Sequence, residues 1–208
     1  MNTGRLVLAT VVGALVLAVA AMSAPTPVAP IFRVRPDLRM CPSPMCGGFW
    51  VAHANRATTR CGDGAARAWC YVVGITLPKP VASRTELLAR GRIVHLGAGG
   101  TRPADRFVAT TTWTAATRAA STGAVYLVSD NGIRCVRAPC FTLRVATVNR
   151  SRTTTASALD LAGVGAATLG QQAQAALTKG GLPVAGTIRR DADGGRTIVV
   201  TQFFLATS

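Results

Sequence analysis

Residues 31–56 read IFRVRPDLRMCPSPMCGGFWVAHANR, and residues 125–150 read VYLVSDNGIRCVRAPCFTLRVATVNR. Laid over one another without a gap, at the offset that carries Cys41 onto Cys135, the two stretches are identical at Val34/Val128, Cys46/Cys140, Val51/Val145, Ala52/Ala146, Asn55/Asn149 and Arg56/Arg150. Ile31/Val125, Phe32/Tyr126 and Asp37/Asn131 are conservative pairs. Self-similarity of this kind at a fixed offset reads as a duplicated unit, and it sets the architecture before any single element is assigned.

Working outward, each copy predicts the same succession of elements. Short strands are expected at 32–35 and 125–129, and Asp130-Asn131-Gly132 carries a turn signal after the second. A cysteine-bounded loop follows, then strands at 49–55 and 141–149, with Phe49, Val51, Leu143 and Val145 on the core face. A third strand is expected at 68–77 and 156–161. Ser83-Arg84-Thr85-Glu86 has the form of a capping box, so a helix is predicted to run from it to Leu88-Ala89-Arg90-Gly91. A second helix is predicted on the stripe Ala166, Leu169, Ala173, Ala176 and Leu177, ending at Lys179-Gly180. Hairpins at 92–97 with 106–114 and 182–189 with 196–205 close the copies, turning at Gly97-Ala98-Gly99-Gly100 and Asp191-Ala192-Asp193-Gly194-Gly195. The expected fold is α+β, with mainly antiparallel sheet and disulfide staples: two tandem copies of a three-strand, helix, two-strand unit, at 31–116 and 124–207.

The N-terminus has the grammar of an export signal. One charge at Arg5 precedes an apolar run over residues 6–21, and small residues follow. Residues 1–23 are read as a signal peptide and 24–30 as a proline-rich leader, with a secreted or periplasmic destination; an uncleaved signal segment would be the only link to a membrane. Export puts Cys41, Cys46, Cys61, Cys70, Cys135 and Cys140 in an oxidising compartment, where an even count means disulfides. The duplication favours Cys135 with Cys140, Cys41 with Cys46, and hence Cys61 with Cys70. Crosswise pairing of the copies, for example Cys41 with Cys135, stays open. The cysteine spacing does not suit zinc, and neither metal nor cofactor is expected.

The chain carries 23 basic side chains, all arginine except Lys79 and Lys179, against eight acidic ones, for a formal charge of +15. Such a balance suits an anionic partner, for example a cell-envelope component, but arginines spread along the chain read first as dispersed, solvated charge. The arginines are scattered, the aromatics are few and no nucleic-acid motif is present, so nucleic acid is not the expected partner.

The strings Asp130-Asn131-Gly132-Ile133-Arg134-Cys135-Val136-Arg137-Ala138-Pro139-Cys140, Arg35-Pro36-Asp37-Leu38-Arg39 and Cys46-Gly47-Gly48 resemble an uncharacterised family of exported bacterial proteins, mainly myxobacterial, defined by a domain of unknown function. That resemblance implies export and the cysteine motifs, and lends no catalytic residue.

Catalytic chemistry is thinly supplied. Glu86 is the single glutamate, and the nucleophile-elbow, zinc-helix and phosphate-loop motifs are all missing from the sequence. His53 and His95 read as strand residues, and Asp191-Ala192-Asp193-Gly194 as a hairpin turn whose resemblance to a calcium loop lacks the closing acid. The expected function is that of an exported, noncatalytic binding or envelope-associated protein. One alternative is an inhibitor of a trypsin-like protease acting through the Cys135–Cys140 loop, with Arg134, Arg137 and Pro139 as the candidate partner-binding residues. Another is a hydrolase with an unrecognised site using His53.

Overall fold

The structure, a computed structural model, describes residues 29–41, 46–81, 86–97, 104–165 and 167–207. The expected signal peptide lies outside the described residues, as do Ser83, Arg84 and Thr85 of the capping box, Ala166, and Ala98-Gly99-Gly100.

The first half contributes β1 (Ile31–Pro36), β2 (Phe49–His53), the small ribbon β3 (Thr59–Arg60) and β4 (Ala66–Arg67), then β5 (Cys70–Val72), β6 (Gly74–Thr76), β7 (Leu87–His95) and β8 (Asp105–Ala115). The second half contributes β9 (Ala124–Asp130), β10 (Leu143–Thr147), β11 (Thr153–Ala156), β12 (Ala158–Asp160), a 3-10 turn, α1 (Ala167–Thr178), β13 (Leu182–Arg190) and β14 (Arg196–Ala206). Twelve strands form one sheet, in the order β11-β10-β9-β13-β14-β8-β7-β1-β2-β5, with β12 on β14 and β6 on β8. The order reads the same from either edge.

So do the registers. Phe32 faces His53 and Val34 faces Val51 in β1·β2; Tyr126 faces Thr147 and Val128 faces Val145 in β9·β10. Phe49 faces Val72 across β2·β5, and Leu143 faces Ala156 across β10·β11. The parallel strands β6 and β12 start at Gly74↔Arg106 and Ala158↔Thr197. Even the irregularities coincide: β7 is bulged at Arg90/Gly91 and β13 at Ala185/Gly186. At both bulges the opposite backbone comes so close that a Cβ on Gly91 would collide with the Val108 carbonyl, and one on Gly186 with the Val199 carbonyl.

The α+β expectation with a helix in each unit is therefore corrected: among the described residues the fold is mostly antiparallel strand with a single α-helix. Leu88-Ala89-Arg90-Gly91, expected as a helix end, lies in β7, between β1 and β8. Leu87 and Ala89 fill the first-half core while Leu88, on the opposite face, fills the core between the halves. A strand buried on both faces is apolar without alternation, so over a few residues it cannot be told from a helix by periodicity. Gly91 is a bulge rather than a helix cap. The third expected strand is broken in both halves, because the chain leaves β2 or β10 and crosses to β8 or β14; Val73 N donates to Asp105 O, and Ser157 N to Arg196 O.

Three apolar clusters hold the sheet. One lies within the first half around Phe32, Val51, Val72 and Phe107. A second lies within the second half, where Ala173 and Leu177 of α1 cover Val128, Leu182 and Val184. The third is shared: Ile31, Ala54 and Leu88 meet Val125, Val148 and Phe204. The halves join edge to edge through Phe204↔Ala115, Leu205↔Thr114 and Ala206↔Trp113.

Disulfides join Cys41 to Cys46, Cys61 to Cys70 and Cys135 to Cys140. These bonds accord with an oxidising compartment. Among the described residues no helix is long and apolar enough to cross a membrane.

Candidate functional site

The site is built where the two Asn-Arg pairs meet. Asn55 and Asn149 follow the ends of β2 and β10 with φ of 58° and 57°, a left-handed conformation that asparagine tolerates better than most residues. Each amide reaches into the other half. Asn55 Nδ2 donates to Val125 O at 2.6 Å and Val148 O at 2.9 Å, and its Oδ1 accepts from Val125 N at 2.7 Å. Asn149 Nδ2 donates to Ile31 O at 2.6 Å and Ala54 O at 2.9 Å, and its Oδ1 accepts from Ile31 N at 2.9 Å. The arginines cross as well: Arg56 donates to Asn149 O at 2.7 Å, and Arg150 Nε and Nη2 to Asn55 O at 3.1 and 2.8 Å. Residue for residue the contacts are reciprocal, as in an isologous dimer interface.

This clasp is ringed by concavities. One, of about 810 Å³, is lined by His53, Arg56, Arg60 and Arg150; another, also about 810 Å³, by Arg56, Arg150, Arg152 and Tyr126; a third, of about 490 Å³, by Arg56, Arg90 and Arg150. No carboxylate stands among the described residues that line them. His53 packs on Phe32 with ring centroids 4.2 Å apart, and its pKa is lowered by burial and by the Arg56 charge. Five guanidiniums, four of them exposed, with no carboxylate among the described lining residues make a local positive potential that attracts anions. It offers charge-assisted donors; Thr59 Oγ1 accepts from the His53 backbone N–H at 2.7 Å, while the His53 ring itself has no hydrogen bond to a carboxylate or hydroxyl among the described residues.

The residues singled out from sequence lie elsewhere. Arg134 is tied to Asp130 at 2.7 Å, and this contact holds the Asp130 pKa down to about 2. Arg137 is exposed with no hydrogen bond or ion pair among the described residues, Pro139 is half-buried, and Val136 beside them is fully exposed. This loop leaves the end of β9 remote from the clasp, so the structure does not bring Arg134, Arg137 and Pro139 to the arginine-lined clefts. Glu86, read as a helix cap, instead accepts from Ser121 Oγ at 2.6 Å and pairs with Arg35 at 3.4 Å, fastening the connection between the halves. Gln202, fully buried, grips the same connection through Thr117 and Ala119.

Asn55, Arg56, Asn149 and Arg150 were passed over as functional candidates. Their identity in both copies, outside the cysteine motif and outside any core pattern, was the available signal. No curated protein and no solved structure matches the chain. Residues 30–208 match the family described as a domain of unknown function (DUF6748), and the chain belongs to that family.

Proposed function

We propose that the protein is an exported, noncatalytic binding protein, secreted or periplasmic in a bacterium, that holds an anionic envelope component in the clefts around the clasp. The observation that carries this reading is the grouping of Arg56, Arg60, Arg90, Arg150 and Arg152 about one junction, with no carboxylate among the described lining residues. Arg60, Arg90 and Arg152 take no part in the clasp, so they can be removed without opening it.

The test uses dextran sulfate as probe and uncharged dextran as control. An Arg60→Ala/Arg90→Ala/Arg152→Ala variant is compared with Arg92→Ala/Arg118→Ala/Arg190→Ala, which removes the same charge from scattered exposed positions. The reading expects the first triple to lower affinity at least about tenfold, with a shallower salt dependence, and the second to have a much smaller effect. Equal losses would reduce the site to net charge and end the proposal.

A second reading rests on Arg137, exposed and unpaired in a disulfide-closed loop, as the residue a trypsin-like protease would accept. Inhibition of trypsin by the protein, abolished in Arg137→Ala, supports it; an uninhibited protease rejects it.

The matching registers further support the proposal that 31–116 and 124–207 are two copies of one all-strand unit, the second carrying a helix between its fourth and fifth sheet strands.

A further inference from the structure

The outer edge of the first half holds a second feature. The chain has three tryptophans and two tyrosines, and Trp50, Trp69 and Tyr71 line one concavity of about 340 Å³ together with Asp63, Arg67 and Asp105. Trp50 and Tyr71 are opposite one another in β2·β5, with ring centroids 5.4 Å apart at 65°. Arg35 lies over Trp69 at 5.0 Å, and Arg39 over Trp50 at 5.2 Å. Asp105 is held at the floor by Gly62 N at 2.8 Å and His95 Nδ1 at 2.9 Å, and Asp63 is paired with Arg67 at 2.8 Å.

Half-buried rings on a sheet edge can be scaffold alone, and the second half is an internal control for that possibility. There the same cross-strand row, Arg35-Trp50-Tyr71, is filled by Ser129, Arg144 and Thr155 at the same registers. The edge ladder therefore forms without the aromatics; in the first half the Tyr71 hydroxyl also accepts from Gly48 N at 3.1 Å, but that bond does not require a cluster of three rings around one concavity.

We propose that this concavity binds an uncharged sugar ring of a glycan chain. Ring C–H faces pack on indole and phenol surfaces, while fixed carboxylate acceptors and guanidinium donors at the margin match hydroxyls that both give and receive hydrogen bonds. A quaternary ammonium is disfavoured because the positive guanidiniums of Arg35 and Arg39 beside the rings repel a second cation and Asp63 is neutralised by Arg67. A purely apolar ligand would bury Asp105 without replacing its water. A phosphate chain would meet both carboxylates. The volume lies at the small end of sites for small molecules, suited to one or two rings rather than a folded partner.

The experiment titrates the full protein with cellohexaose, chitohexaose, maltohexaose and xylohexaose, followed by tryptophan fluorescence and calorimetry. It is run in ~1 M NaCl, where screening falls to about 3 Å and the arginine clefts are silenced. Tetramethylammonium chloride serves as the cationic comparison. At least one oligosaccharide is expected to bind with Kd below about 1 mM. Trp50→Arg/Tyr71→Thr, which installs what the second half carries, is expected to weaken that binding at least about tenfold in a protein that still unfolds cooperatively above the assay temperature, and Trp69→Phe, which keeps the Tyr71 bond to Gly48 N, to weaken it less. The Arg60→Ala/Arg90→Ala/Arg152→Ala variant is expected to bind sugar normally, which separates this site from the anion clefts. Absence of binding across the panel, binding that survives Trp50→Arg/Tyr71→Thr, or binding of tetramethylammonium in place of sugar would each overturn the proposal.

Discussion

The two halves use one ladder and different coverings. In the first, the inner face around Val34, Val51 and Phe107 is closed by an irregular, bent stretch that lays Leu77 and Val81 against it, and the outer edge is clipped by Cys61–Cys70. In the second, the same face is closed by α1 through Leu169, Ala173 and Leu177, and Cys61–Cys70 has no counterpart beside the Cys135–Cys140 bond. A β-sheet needs its apolar face covered but does not dictate by what, so the connection between β6 and β7 or between β12 and β13 is free to vary in length and conformation. The junction has no such freedom: each half is the other's partner, and a change in one Asn-Arg pair leaves backbone groups of the opposite half unsatisfied.

The largest effect is therefore expected at the clasp. Asn55→Ala and Asn149→Ala each leave one carbonyl, Val148 O or Ala54 O, and one N–H, of Val125 or Ile31, without the amide that satisfies them in a partly buried site, and put alanine in the left-handed region, for a loss of about 3–5 kcal/mol in urea unfolding. The glycine variants relieve the backbone strain and should recover about 1 kcal/mol. A large inequality between positions 55 and 149 would break the equivalence of the halves. Next come the bulges: Gly91→Ala and Gly186→Ala force a Cβ onto backbone carbonyls and should cost about 2–4 kcal/mol each, read by thermal unfolding.

The coverings should separate the halves. Leu177→Ala is expected to lose about 3 kcal/mol by leaving a cavity under α1. Cys61→Ser/Cys70→Ser is expected to lose about 2–3 kcal/mol through loop entropy, with earlier hydrogen exchange confined to β2–β5. If either substitution loosened both halves equally, their coverings would not be independent. The smallest effect concerns His53. Its folded pKa is lowered, so the unfolded chain binds the proton more readily; stability is full above the ordinary histidine value of about 6.5 and declines as pH falls through it toward the folded value. His53→Gln, followed by urea midpoints between pH 8 and pH 5, should flatten that slope.

The cysteine pairs, the β1·β2 and β9·β10 strands, the second helix and the second closing hairpin were legible because each is declared within a short window by composition, spacing or alternation. The helix expected at Leu88-Ala89-Arg90-Gly91 failed for the converse reason. Nothing within that window says that β1 will lie on one side and β8 on the other, and a Leu-Leu-Ala run is apolar in either state. Glu86 was assigned to a local cap when its partners, Arg35 and Ser121, stand far away along the chain. The clefts were hidden in the same way: Arg60, Arg90 and Arg152 come from three separate segments and look like scattered charge until the sheet gathers them.

By itself the sequence determined the local covalent rings, the alternation that marks most strands and, at Asn55-Arg56 and Asn149-Arg150, an identity whose purpose it did not state. Only the tertiary structure decided that β8 and β14 pair to make one sheet, that the two asparagines cross from half to half, and that guanidiniums and aromatic rings collect at separate sites. The division follows from the range of the interactions. Turns, disulfides and side-chain alternation act between neighbours in the chain, whereas sheet order, satisfied amides and summed charge depend on which distant segments share the space between them.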